Sequence, residues 1–216
     1  MATSALPPYG FSSGQIGPSV LADGSPARER MSRDSSLVTT DGHGRYAESA
    51  VRGKGFICVN SAAQALSLTG TTTYTGMVVY NAPGSNVNLV INSALYGMTA
   101  LATGVGGVFL FYQVPAATLP TLTATNVSGS PFSTLLTGGG SSAARVASSC
   151  TLAANPIILR PVLSIPWITA VSQSFGVIKD EIAGELAVPP GGGIGFVAVT
   201  TALTGFAYLS WEEVPV

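Results

Sequence analysis

The fold is decided near the C-terminus, where the chain reads Glu181-Ile-Ala-Gly-Glu-Leu-Ala-Val188, Pro189-Pro-Gly-Gly-Gly193, Ile194-Gly-Phe-Val-Ala-Val-Thr200 and Gly205-Phe-Ala-Tyr-Leu-Ser-Trp-Glu-Glu-Val214. Runs rich in Val, Ile, Phe and Tyr, bounded by Pro and Gly, have the composition of strands and the punctuation of turns. The segment is a strand, a Pro-Gly corner and two further strands. Toward the N-terminus, Val87, Leu89 and Ile91 alternate with Asn86, Asn88 and Asn92, setting an apolar stripe against amides. Similar runs occur at 56–60, 74–80, 107–114, 145–152 and 157–163. Only 61–68 reads as a helical turn or two, and no long stretch shows helix spacing with caps. Pro161 and Pro166 each remove a ladder donor, which puts 157–168 at a sheet edge or at a bend between sheets. The expectation is an all-β protein, a sandwich of about eight to ten antiparallel strands.

Charge divides the chain. It has 216 residues with 9 Lys or Arg and 10 Asp or Glu, where an ordinary globular chain is roughly a quarter charged. Most of these charges precede residue 55, and from Gly55 to Ala144 there is no Asp, Glu, Lys, Arg or His. Residues 1–54, with Pro7, Pro8, Pro18 and Pro26 and no sustained apolar period, read as an extended N-terminal arm. Extended, such an arm spans on the order of 170 Å. It is too polar to fold alone and is expected to order on a neighbour. Residues 55–216 are the β domain. Ala94 to Gln113 is long and uncharged enough to resemble a membrane helix, but Gly104, Gly106 and Gly107 interrupt it. With 8% aromatic residues, the girdles of an outer-membrane barrel are not expected either. A net charge of −1 supplies no field for nucleic acid or an anionic membrane. Met1 to Gly10 lacks the basic and apolar regions of a secretory signal, so export by that route is not expected.

No catalytic constellation assembles. His43, the only histidine, lies in the arm, and a general base must be held rigidly. Asp41, His43 and Glu48 match no metal-ligand spacing. Asp180/Glu181 and Glu212/Glu213 are adjacent, so on a strand each pair points to opposite faces and cannot flank one substrate; they read as solvent or interface charges. Gly138–Gly140 and Gly191–Gly193 lack the Lys-Ser/Thr of a phosphate loop and read as turns. Cys58 and Cys150 read as small buried apolar residues, with pairing across two strands left open. Arg28, Arg30 and Arg33 are interleaved with Glu29 and Asp34, a pattern for docking on protein rather than on phosphate. The sequence thus implies a non-enzymatic protein without metal or cofactor.

A charge-poor β-surface of Thr, Ser, Asn and Ala is hard to keep soluble as a monomer, so self-association is expected, a homotrimer being favoured. The C-terminal unit quoted above resembles the closing strands of jelly-roll domains in virus and phage structural proteins, where a Pro-Gly corner precedes a long strand and the last strand ends with Trp and acidic residues. The resemblance covers about 35 residues well. It implies a jelly-roll virion component, most like a capsid cement or decoration protein of a tailed bacteriophage, on the capsid exterior and assembled in the host cytoplasm. Its partners would be further copies of itself and the major capsid protein. Arg28, Arg30, Arg33, Arg45, Arg52 and Lys54 are the expected partner contacts, with the arm stapling adjacent subunits. The alternative is a tail-tip or receptor-binding jelly roll that recognises carbohydrate through 115–136, where Phe132 and Asn126 are the suitable groups.

Overall fold

The structure is a computed structural model that describes residues 46–69, 73–101, 104–117, 121–123, 131–136, 139–152, 155–168, 177–199 and 203–216. The chain divides into two units, Met1–Ala47 and Glu48–Val216. Among the described residues, a short helix α1 (Ala47–Val51) is followed by twelve strands. They are β1 (Gly55–Val59), β2 (Gln64–Thr69), β3 (Thr73–Asn81), β4 (Val87–Leu101), β5 (Gly104–Gln113), β6 (Leu122–Thr123), β7 (Phe132–Ser133), β8 (Ala144–Thr151), β9 (Ile157–Ile168), β10 (Val177–Val188), β11 (Gly193–Val199) and β12 (Leu203–Pro215). The protein is all-β, and every strand pairing is antiparallel.

The pairing is nested. β2 pairs with β12, β3 with β11, β4 with β10 and β5 with β9, so the chain doubles back on itself as one long ribbon. Two further ladders, β4 with β12 and β5 with β11, roll that ribbon up. One sheet then runs β10-β4-β12-β2 and the other β3-β11-β5-β9. β2 joins them: Gln64 to Leu66 pair with β12, while Ser67 to Thr69 pair with β3. At the far ends, β1 and β7 extend the first sheet and β8 and β6 extend the second.

Residues 61–68 correct the expectation of a helical turn. Ser61 and Ala62 form a bend, and β2 continues along β12 where β1 leaves off. Asn60 holds the interruption: its Nδ2 donates to Ala62 O and Gly205 O, and its Oδ1 accepts from Ala207 N. The Ala-Gln-Ala-Leu run has good helix propensity, but propensity is worth only tenths of a kcal/mol per residue and burial of Gln64 and Leu66 against two sheets outweighs it.

The core between the sheets takes alternate residues of both. β12 contributes Leu203, Ala207, Leu209 and Trp211, and β4 contributes Leu89, Ile91, Ala94, Tyr96 and Met98. β12 alternates strictly, whereas β4 changes phase at Asn92, an extra residue between the partners of Ser210 and Trp211. That bulge keeps Ala94, Tyr96 and Met98 on the buried face after Ile91. From the other sheet come Met77, Val79, Val108, Leu110, Ile194 and Phe196. A second apolar cluster lies on the opposite face of that sheet, formed by Tyr74, Val78, Tyr80, Phe111, Ala147, Cys150 and Val197 with Phe109 and Leu122 against it. β5 is therefore covered on both faces, which is why Val108 to Tyr112 reads as a continuous apolar run without alternation.

The Pro-Gly corner joins β10 of one sheet to β11 of the other. Gly192 N donates to Pro189 O, with Pro190 and Gly191 (φ 83°) at the central positions, the arrangement of a type II turn. A Cβ on Gly191 would stand 2.6 Å from Ala116 O. β9, with its prolines, ends the second sheet, as expected. Ala94 to Gln113 forms most of β4 and β5, and no helix among the described residues is long and apolar enough to cross a membrane.

Candidate functional site

Of the expected partner contacts, Arg28, Arg30, Arg33 and Arg45 lie outside the described residues. Arg52 and Lys54 are exposed on the turn that carries α1 into β1, where Gly53 (φ 66°) donates to Ala50 O and Lys54 N to Ser49 O. His43, Asp41 and Asn126 also lie outside the described residues. Among those described, no three His, Cys, Asp or Glu side chains come together.

The carboxylates separate as adjacent strand residues must, but not all of them face solvent. Glu181 points outward beside Lys179 on the same face of β10. Asp180 points the other way and receives the Arg160 guanidinium from β9 at 3.1 Å. The bulge at Ala183 (φ 60°) and Gly184 (φ 88°) turns Glu185 to the same guanidinium at 2.7 Å. Arg160 thereby ties β9 to β10, which among the described residues each have one ladder and end the strand order. Glu213 is also no solvent charge. It is 8% exposed, and its Oε1 accepts from Ala143 N at 2.8 Å and from Ser142 Oγ.

The cysteines are free and stand on opposite sides of the second sheet. Cys58 lies in the core with Met77 Sδ 3.5 Å from its sulfur, and Cys150 lies in the second cluster against the Tyr80 hydroxyl. Burial pushes the Cys150 thiol up to about 11, although the Tyr80 contact pulls the other way.

Two surface features remain. The first is the outward face of the first sheet. Register places Val59, Tyr208, Leu95 and Lys179 in one row across β1, β12, β4 and β10, and Phe206, Gly97 and Val177 in the next. Val59 is 40%, Phe206 41% and Val177 64% exposed. The second is a pocket of about 380 Å³ between β7 and β8, formed by residues of 131–136 and 139–145. Phe132, Ser133, Leu136, Ser141, Ser142 and Arg145 line it. Ser133 approaches so close to Gly139 that no side chain fits there. Sequence reasoning singled out Phe132, read Glu213 as a solvent or interface charge, and missed Arg145 and Ser142. The available signal was that Arg145 is the first charge after the long neutral run and stands three residues after the Gly138 to Ser142 stretch.

No protein-family model, curated protein or solved structure matches this chain.

Proposed function

We propose that the chain is a non-enzymatic virion structural protein with a jelly-roll body, a capsid cement or decoration protein of a tailed bacteriophage. It self-associates, a trimer being favoured, on the capsid exterior after assembly in the host cytoplasm, and its arm, residues 1–54, staples neighbouring major capsid subunits. The nested pairing of β2 to β5 with β12 to β9 supports a jelly roll, in which two sheets close through Greek-key connections. Phe56, Tyr96, Phe196 and Trp211 fill the space between the sheets, as suits a structural body.

The observation that carries the reading is the outward face of the first sheet. Half-exposed apolar side chains stand side by side there in consecutive rows, with Lys179 at the rim. Contiguous apolar surface of this kind marks protein–protein contact. The strand edges do not offer the same opportunity, because prolines blunt β9 while charges and a bulge blunt β10. Light scattering on the intact protein should give about three times the 21.8 kDa chain mass. Phe206→Asp should return it to one chain with its thermal unfolding unchanged, whereas Leu136→Asp, on a residue 85% exposed elsewhere, should leave the oligomer intact. A native mass of one chain would overturn self-association. Removal of residues 1–45 should leave the body folded and abolish co-sedimentation with phage shells lacking this protein; undiminished binding would overturn the stapling role.

A further inference from the structure

We propose that the pocket between β7 and β8 is a binding site for a saccharide that carries a carboxylate, a function separate from the docking of the body on other proteins. The connection that holds it is unlike the others in the ribbon. β3 to β4, β10 to β11 and β11 to β12 are joined by a few residues each, but β5 to β9 runs through 114–156 and includes three strands of its own. The nested ladders close without it, and long excursions from a compact scaffold usually carry function.

The excursion is also anchored, and at the level of side chains. Glu213, buried on β12, takes hydrogen bonds from Ala143 N and Ser142 Oγ, which fixes the Ser142 edge of the pocket to the core strand. On the other edge, β7 pairs with β1 through Phe132 and Ser133, and Thr134 N donates to Gly55 O at 2.9 Å. Both edges of the pocket are therefore held to the first sheet, one through Glu213 on β12 and the other through β1. Its volume of about 380 Å³ suits one or two sugar rings, within the range of roughly 300–1,000 Å³ usual for small-ligand sites.

The lining specifies the chemistry. Phe132 shows 54% of its surface, a ring available to lie against the C–H face of a sugar. Ser133 and Ser141 supply hydroxyls that can donate and accept, and Ser142, whose proton goes to Glu213, can accept only, a mixed set that suits a polyol. Arg145 is exposed and makes no ion pair with a carboxylate among the described residues. A guanidinium offers two parallel N–H donors, the match for a carboxylate rather than for a neutral hydroxyl.

The test is a glycan array probed with the intact protein, followed by titration of methyl glucuronoside against methyl glucoside by saturation-transfer NMR. Binding confined to carboxylate-bearing glycans is expected, with the glucuronoside bound about tenfold or more tightly than the glucoside. Arg145→Gln should erase that preference, and Phe132→Ala should weaken both sugars; both side chains are exposed, so the melting temperature should not move. Binding of no glycan on the array, equal binding of acid and neutral sugars, or an Arg145→Gln protein that keeps the preference would each overturn the proposal.

Discussion

Asn81 joins the β3–β4 connection to the end of β10 and the corner that follows it. It is fully buried at the end of β3, and its Nδ2 donates to Val87 O at 2.7 Å and Val188 O at 2.9 Å. Its Oδ1 accepts from Ser85 Oγ, its own N donates to Gly192 O, and its O accepts from Gly191 N. One residue thus satisfies, through its amide and its own backbone, groups from the start of β4, the end of β10 and the Pro-Gly corner. Asn81→Ala would leave the buried Val188 carbonyl without its side-chain partner, while Val87 O and Ser85 Oγ keep each other, and such an orphan costs about 1–3 kcal/mol. Urea unfolding should show a loss of about 1–3 kcal/mol with an unchanged slope. A loss below about 1 kcal/mol would mean that water replaces the amide. None of this was legible in the sequence, where Asn81 is one polar residue at the end of an apolar run. The same holds for Glu213, whose partners Ser142 and Ala143 are some seventy residues away. Periodicity reports which face a residue takes, not which distant chain covers it.

At the scale of elements, the alternation at Val87 to Ile91, the prolines of β9 and the corner at Pro189 to Gly193 were all readable, because each is a local signal with a local cause. What could not be read is the pairing, since nested ladders such as β4 with β10 join residues far apart and leave no local trace. Bulges such as those at Asn92 and at Ala183–Gly184 belong to this class; they adjust phase and direction to a partner strand. Arg160 is the element-level consequence of the second bulge, because the turned Glu185 and the inward Asp180 meet it together. Its side chain is one-third exposed, so Arg160→Ala should lower global stability by no more than about 1 kcal/mol. Its effect should be regional instead. Amides of Ile178 to Ile182 should exchange faster in the variant while those of β12 stay protected, as native-state hydrogen exchange would show. Uniform protection in both proteins would mean that packing alone holds β9 to β10.

For the whole molecule, the two-layer core with a second cluster outside it sets the response to alkali. Burial raises the ionisation of Tyr74, Tyr80, Tyr96 and Tyr112 above their ordinary value, and Cys150 moves from 9.0 to about 11. These groups hold their protons more tightly folded than unfolded. Below about pH 9 both states are protonated and the folded state keeps its full stability; as pH rises through the folded values, the unfolded chain is favoured because it releases protons more readily. Because the buried hydroxyls and the thiol lie in two contiguous clusters, they should not titrate one at a time. Tyrosinate absorbance from these residues should rise together with loss of the β circular dichroism, in one cooperative step well above pH 9. Disulfide-exchange reagent at neutral pH should leave Cys58 and Cys150 untouched until that step or until denaturant is added. Reversible ionisation of all the tyrosines with the circular dichroism intact would show instead that the second cluster opens to solvent independently of the sandwich.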